Sequence, residues 1–240
     1  MTALKTFLIF FFLVLALLIL FPFGVLAFIL SFLGMRKPMT LIIYKLAQGW
    51  AVFMIKLTGC QMTISGRENI PMKEGICVVS NHSGYFDIIL ALAYIGRPFG
   101  FIAKKELMLV PFINIWIWLL GGHFIDRKNL RKALHTINAG ARQIRDGGAM
   151  IIFPEGTRSK GQGLLPFRSG AFKLATIEGA KIVPMAISGS YEAFEETGRV
   201  RSVPVRVSFG EPIATAGLSI EQRKKQLADQ VHGVIGKLLS

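Results

Sequence analysis

The sequence predicts an α/β fold, a mixed β-sheet flanked by helices, with an N-terminal membrane-embedded helical segment. Three observations point there. Short β-branched runs alternate with helical patterns after residue 60, the order that builds layered α/β domains. From Thr6 to Met35 a run of 30 residues carries no charge. A mean hydropathy of +0.51 coexists with a formal net charge of +14, so apolar and basic residues must be segregated along the chain.

The uncharged run lies between Lys5 and the pair Arg36 and Lys37. About 20 apolar residues suffice to cross a bilayer. The run is longer than the apolar core of a cleaved leader, and neither Ala16 nor Ala27 sits in an A-x-A cleavage frame, so it reads as retained. Pro22 and Gly24 divide it into halves of about 15 residues, or about 22 Å of helix each. Two arrangements stay open: two half-helices meeting at Pro22–Gly24 in a re-entrant hairpin, or one kinked span. Arg36, Lys37, Lys45 and Lys56 follow the run, and the positive-inside rule puts what comes next in the cytoplasm. Residues 39–58 are apolar but interrupted by Lys45, Gln48 and Lys56, and carry Tyr44 and Trp50, the texture of an interfacial helix. The expected organisation is therefore an anchor over 1–37, an interfacial helix over 38–60 and a cytoplasmic domain over 61–240.

After Gly66 the pattern changes. Strands are expected at 75–80, 100–104, 149–153, 181–187 and 204–209, and helices at 87–95, 129–145, 170–178 and from about 220. In the second helix Leu130, Ala133, Leu134, Ile137 and Ile144 form the expected apolar side. The last opens on a capping box, Ser219 with Gln222. Pro184 inside the run 181–187 marks an edge strand or a strand start. The apolar stretch Leu107–Leu120 reads either as an acyl groove or interfacial segment, or as a core helix bent at Pro111.

Absences narrow the chemistry. The two cysteines, Cys60 and Cys77, form no C-x-x-C pair, so a disulfide framework, a zinc ribbon and a thioredoxin-type site are excluded. No phosphate-loop, dinucleotide, H-E-x-x-H or G-x-S-x-G signature occurs. Of four histidines, His82 stands out because it directly follows the run 75–80, in Asn81-His82-Ser83-Gly84-Tyr85-Phe86-Asp87. The C-terminal end of a buried strand is where α/β proteins place chemistry. If His82 lies in the loop and Asp87 opens the next helix, Asp87 holds one imidazole nitrogen and the other faces a substrate hydroxyl, which makes a general base. An Asp N-cap beside a satisfied loop histidine is the plainer alternative. Two further polar clusters follow apolar runs: Gly121–Arg127, and Phe153–Ser159. In the latter, Gly156 permits close approach and Arg158 can fork a phosphate.

Taken together, these clusters resemble the glycerolipid acyltransferase family, specifically the 1-acyl-glycerol-3-phosphate (lysophosphatidate) acyltransferases. Asn81-His82 with Asp87 looks like that family's first block, and Gly122–Arg127 like its second. Phe153-Pro154-Glu155-Gly156-Thr157-Arg158-Ser159 matches its third, and Ile182-Val183-Pro184-Met185-Ala186-Ile187 its fourth. One departure is Gly84, where the family often has Ser, with Ser83 one residue earlier. The resemblance implies His82 as general base and Asp87 as its orienting partner. It implies an acceptor-phosphate site from Glu155, Gly156, Thr157 and Arg158 supported by Asp126 and Arg127, and pocket-shaping by Asn81 and Pro184. It further implies direct acyl transfer to a lysolipid hydroxyl, with acyl-CoA or acyl-carrier protein as co-substrate, no metal and no cofactor. A backbone N–H for the thioester oxyanion is required as well. The protein would sit on a membrane, the bacterial inner membrane for a bacterial chain.

Two substrates that carry phosphate give the basicity a purpose. Lys104, Lys105, Arg127, Lys128, Arg131 and Lys132 would each add about 1 kcal/mol of attraction to an anionic leaflet. Competing readings are an acyltransferase for another lysolipid, such as lyso-ornithine lipid, and a non-catalytic anionic-membrane binder. A nucleic-acid partner has only the net charge in its favour and no binding motif. Oligomeric state is not encoded in any feature of the sequence.

Overall fold

A computed structural model describes residues 2–219, 222 and 226–240. Among the described residues, seven strands form one mixed sheet: β1 (Gln61–Ser65), β2 (Ile76–Ser80), β3 (Phe99–Lys104), β4 (His123–Ile125), β5 (Ala149–Ile152), β6 (Lys181–Ser188) and β7 (Pro204–Phe209). Their order is β1-β7-β6-β2-β5-β3-β4, and every pairing is parallel except β6 with β7. Helices α1 (Thr2–Leu30), α2 (Arg36–Thr58), α3 (Phe86–Tyr94), α4 (Ile113–Leu119), α5 (Leu130–Arg145), α6 (Lys173–Thr176) and α7 (Leu227–Leu239) complete the chain.

The central strands are apolar runs because both faces of the sheet are covered. On one face Val78, Ile151, Val183 and Ile187 pack with Ile43 and Ile55 of α2 and Leu90 of α3. On the other, Cys77, Val79, Met150, Ile182 and Ala186 meet Ile144 of α5, Leu174 of α6 and Val231 and Ile235 of α7. Beneath β2, the Arg97 guanidinium donates to the carbonyls of Pro71, Glu74 (2.8 Å) and Gly147 (2.6 Å), tying the entries of β2 and β5 together.

The structure departs from the sequence expectations in several places. The chain does not turn at Pro22–Gly24: α1 runs through Pro22, and Gly24 is where the Trp116 ring packs against the helix. The reversal comes at Ser31–Met35, where Gly34 takes φ +84°. A left-handed residue without a Cβ penalty is what a tight helix-to-helix turn needs. Beyond it, α2 returns beside α1, so that Phe12 meets Phe53 and Ile9 meets Met54.

The segment Leu107–Leu120 is a 3-10 turn followed by α4, with Phe112 at φ +67°. Its aromatic residues dock the hairpin: Trp118 against Phe28 and Phe32, Phe112 against Phe21. On α5 only Gly140, Ala141 and Ile144 are buried, and Leu130 and Leu134 face outward. The N-terminal half of that helix lies over the three-residue edge strand β4, with Thr136 Oγ1 donating to Phe124 O (3.1 Å). The expected helix over 170–178 is shorter, a 3-10 turn followed by the four-residue α6. Strand β1 begins before Gly66, earlier than the change in texture.

Pro184 is neither at an edge nor at a strand start. It sits inside β6, paired with Val79 of β2. Its carbonyl accepts from Gly210 N–H (2.8 Å) on the β7 side, so its imide nitrogen also faces that side. There the β7 ladder has not yet begun, since its pairs start at Met185. The missing donor therefore falls where no ladder bond is required. The capping box forms, with Ser219 N–H donating to Gln222 Oε1 (2.8 Å) and Gln222 N–H to Ser219 Oγ (3.2 Å). The expected helix start at about 220 lies partly outside the described residues.

Replacing Arg97 by Met leaves three carbonyls without their donor and should cost about 2–3 kcal/mol. Chemical denaturation of the purified protein, with wild type alongside, measures it.

Candidate active site

Because β2, β3, β4, β5 and β6 run parallel, the segments that follow them emerge on one edge of the sheet. The first and third polar clusters of the sequence follow β2 and β5, and the second, Gly121–Arg127, spans β4, with Asp126 and Arg127 after it. Asn81 fixes the first. Its side-chain amide donates to Ile187 O (2.8 Å) and its Oδ1 accepts from Ile187 N–H (2.8 Å), stapling the end of β2 to β6.

His82 and Asp87 meet. The His82 Nδ1 lies 2.8 Å from Asp87 Oδ2. The same oxygen accepts the backbone N–H groups of Ser83 (2.7 Å) and Gly84 (3.0 Å). Asp87 is fully buried, and its Oδ1 has no hydrogen-bond partner among the described residues. An oxygen that already accepts from two amides is an acceptor toward the ring as well, so Nδ1 carries the proton and Nε2 is the free acceptor. The ring stacks on Phe153 with centroids 4.2 Å apart. The imidazole is therefore fixed by an anion at one nitrogen and an aromatic face along its plane.

The Phe153–Ser159 segment braces this loop. Glu155, only 3% exposed, accepts the His82 backbone N–H (2.7 Å) on Oε1 and the Leu165 N–H (3.4 Å) on Oε2. Burial pushes its carboxyl above the ordinary carboxylate range, against the lowering effect of those two amides and of His82. Ser159 N–H donates to His82 O (2.7 Å), and Lys160 N–H to Ser83 O (3.2 Å). Gly156 takes φ +72°, and its carbonyl accepts from Arg127 Nη1 (2.9 Å). Thr157 is exposed.

Asp126 does not reach the Arg158 guanidinium. It pairs with Lys105 (2.9 Å), the hydrogen bond that holds its carboxyl below the usual range and raises the lysine. Beside that pair a cleft of about 370 Å³ is lined by Lys104, Arg127 and Lys128, with Glu106, Ile125 and Asp126.

Arg158 is held on two sides, by the Tyr85 ring, 3.7 Å from its guanidinium carbon to the centroid, and by Glu195 Oε1 at 2.5 Å. Glu195 also accepts the Tyr85 backbone N–H. Sequence reasoning passed over Glu195, which lies in an acidic connection between β6 and β7 with no motif around it. Pro184 sits apart on the α7 face of the sheet, its ring near the backbone of Gly210. Among the described residues no cluster of His, Cys, Asp and Glu is arranged to hold a metal.

The arrangement offers one basic nitrogen beside a region rich in cations. The acyltransferase family model matches residues 61–188. A 1-acyl-sn-glycerol-3-phosphate acyltransferase of Borreliella burgdorferi is 31% identical over 138 residues, 58% of this chain and 55% of that protein. The corresponding protein of Haemophilus influenzae is 32% identical over 164 residues, 68% of this chain and 67% of that protein. The chain thus spans between about half and two thirds of these relatives' lengths. The crystal structure of the 1-acyl-sn-glycerophosphate (LPA) acyltransferase PlsC from Thermotoga maritima superposes with a TM-score of 0.80 at 26% identity, covering 98% of this chain and 93% of that one. The family model takes in every strand from β1 to β6 and the whole His82–Arg158 stretch, and on that match the chain belongs to the acyltransferase family.

Proposed function

We propose that this protein moves a fatty acyl group from an acyl thioester, carried by coenzyme A or acyl-carrier protein, to the free hydroxyl of 1-acyl-glycerol-3-phosphate, giving phosphatidic acid for phospholipid synthesis. The observation behind this reading is the lone acceptor nitrogen, Nε2 of His82, on an imidazole whose other nitrogen is bound to a buried carboxylate. The hydroxyl proton passes to Nε2 as the oxygen attacks the thioester carbonyl. The imidazolium is stabilised by Asp87. When the tetrahedral centre collapses the C–S bond breaks, and the same nitrogen returns its proton to the departing sulfur. The proton inventory closes on His82 and the two substrates. Arg127 and Arg158 supply charge for the acceptor's phosphate, and the relatives of Borreliella burgdorferi and Haemophilus influenzae are named for that acceptor.

The hairpin is the membrane element of this proposal. Phe7, Phe11, Leu18, Ile19 and Leu26 of α1 are exposed. Each such side chain gains about 1.5–3 kcal/mol on leaving water. Yet α1 touches the globular part near both ends, through Lys5 Nζ donating to Ser202 Oγ (2.7 Å) and Phe28 against Trp118. A helix lying along its domain suits immersion in one leaflet, where the acceptor resides, with the domain on the cytoplasmic side.

His82→Ala should lower acyl transfer by at least about a hundredfold. Asp87→Asn should approach the same loss, because an amide does not hold Nδ1–H as a carboxylate does. Initial rates of the detergent-solubilised protein with acyl-CoA and acyl-carrier-protein donors, against lysophosphatidate, lysophosphatidylglycerol and lyso-ornithine lipid, measure both. Transfer to another acceptor with the same His82 dependence would keep the mechanism and replace the substrate.

Glu155→Gln carries a pH signature. A carboxyl whose folded pKa is raised favours the fold below its unfolded value, and loses that contribution as pH rises through the folded value. The melting temperature of Glu155→Gln relative to wild type should therefore increase between pH 4 and pH 7. A constant or shrinking difference contradicts the raised carboxyl.

A cysteine at exposed position 35 (Met35→Cys) should resist a membrane-impermeant maleimide in intact cells and react in detergent. Labelling from outside the cell would mean that the hairpin crosses the bilayer.

A further inference from the structure

Arg158 is the arginine expected to meet the acceptor's phosphate, yet in the folded chain it already holds an anion. Glu195 Oε1 is 2.5 Å from Arg158 Nη1, and Glu195 Oε2 takes the Tyr85 backbone N–H. One oxygen on a guanidinium and another on a turn amide is the contact pattern a bound phosphate group makes. The pair is partly open, with Glu195 12% and Arg158 26% exposed. The connection bearing Glu195 is anchored from the other side, where Phe194 packs on Phe10 of α1 at 5.4 Å. Its backbone is pinned by Arg201 N–H donating to Ala193 O (2.8 Å).

Gly84 belongs to the same arrangement. A Cβ at residue 84 would run into Glu195 Oε2. The position at which this chain departs from the family pattern is therefore the one whose missing side chain makes room for the carboxylate.

We propose that Glu195 is a specificity-determining residue: its carboxylate occupies the acceptor-phosphate position on Arg158, and an anionic headgroup binds by displacing it. This rests on the reading of Arg158 as a phosphate ligand. Two anions cannot share one guanidinium in a half-buried setting without strong repulsion. A phosphate monoester, at about −1.5 to −2 charge near neutrality, brings more charge to the guanidinium than a carboxylate of −1. Rotation of the Glu195 side chain into solvent vacates the position while the backbone stays in place. The consequence is an acceptor site that selects a headgroup charged strongly enough to replace its internal occupant.

The test is calorimetric titration of the full-length, detergent-solubilised protein with sn-glycerol 3-phosphate as probe. Glu195→Gln keeps the shape and removes the charge, and should lower the Kd roughly three- to tenfold, as removal of a facing like charge does. Glu195→Ala should act in the same direction, which guards against a folding defect peculiar to one variant. In an Arg158→Ala background the Glu195→Gln effect should vanish. Unchanged or weaker probe binding in both Glu195 variants overturns the proposal, and so does absence of probe binding to every variant. In parallel, KM for lysophosphatidate should fall in Glu195→Gln. A lower kcat at unchanged KM would mean that Glu195 only braces the Tyr85 turn, and would overturn it as well. Failure of wild type to acylate lysophosphatidate would remove the proposed function, while the titration still decides whether Glu195 blocks a phosphate site.

Discussion

A carboxylate with no exposed surface is stable only where donors converge on it, and the edge of this sheet is organised around that requirement at Asp87. Its Oδ2 collects two backbone amides and an imidazole. Those donors are in place because the loop from His82 to Gly84 is held from several directions at once. Asn81 ties its start to β6, Glu155 takes the His82 amide, and Ser159 and Lys160 donate to the His82 and Ser83 carbonyls. The parallel arrangement of β2, β5 and β6 brings these groups to a common edge. If one of these ties is lost, the others must restrain a turn whose native shape keeps a buried charge solvated.

The central strands were legible because a strand covered on both faces has to be a continuous apolar run, and 75–80, 149–153 and 181–187 are such runs. The His82–Asp87 contact was legible for a related reason. A polar pair after a buried strand has few places to go, and a five-residue spacing closes once the loop precedes the helix. What escaped the sequence depends on distant partners. Strand β1 is a short alternating segment identified only by its pairing with β7. Pro184 looks like an edge residue until the start of the β7 ladder is known. Glu195 lies 37 residues from Arg158 in a stretch that reads as ordinary solvated acid, and nothing local reports that a guanidinium will arrive beside it.

The N-terminal hairpin shows the same division between local and distant information. Its apolarity is evident from composition, but the position of its turn is not. Proline within an apolar helix suggests a break, whereas here Gly34 supplies the reversal and Gly24 supplies contact with Trp116. Packing against α4 therefore decides how the two small residues are used. The hairpin is continuous with the globular core through α2, which buries Ile43 and Ile55 against the sheet while α1 covers its other side. Phe10 of α1 in turn packs on Phe194, the neighbour of Glu195 in the connection from β6 to β7.

The stacking of His82 on Phe153 has a kinetic meaning. An imidazole held at Nδ1 by Asp87 and stacked on an aromatic face presents only Nε2 to a substrate in the proposed mechanism. A single nitrogen must then collect a proton from one partner and deliver it to the other. In that mechanism no acyl-enzyme forms and the acyl group passes straight from sulfur to the hydroxyl oxygen, which calls for a complex holding donor and acceptor together.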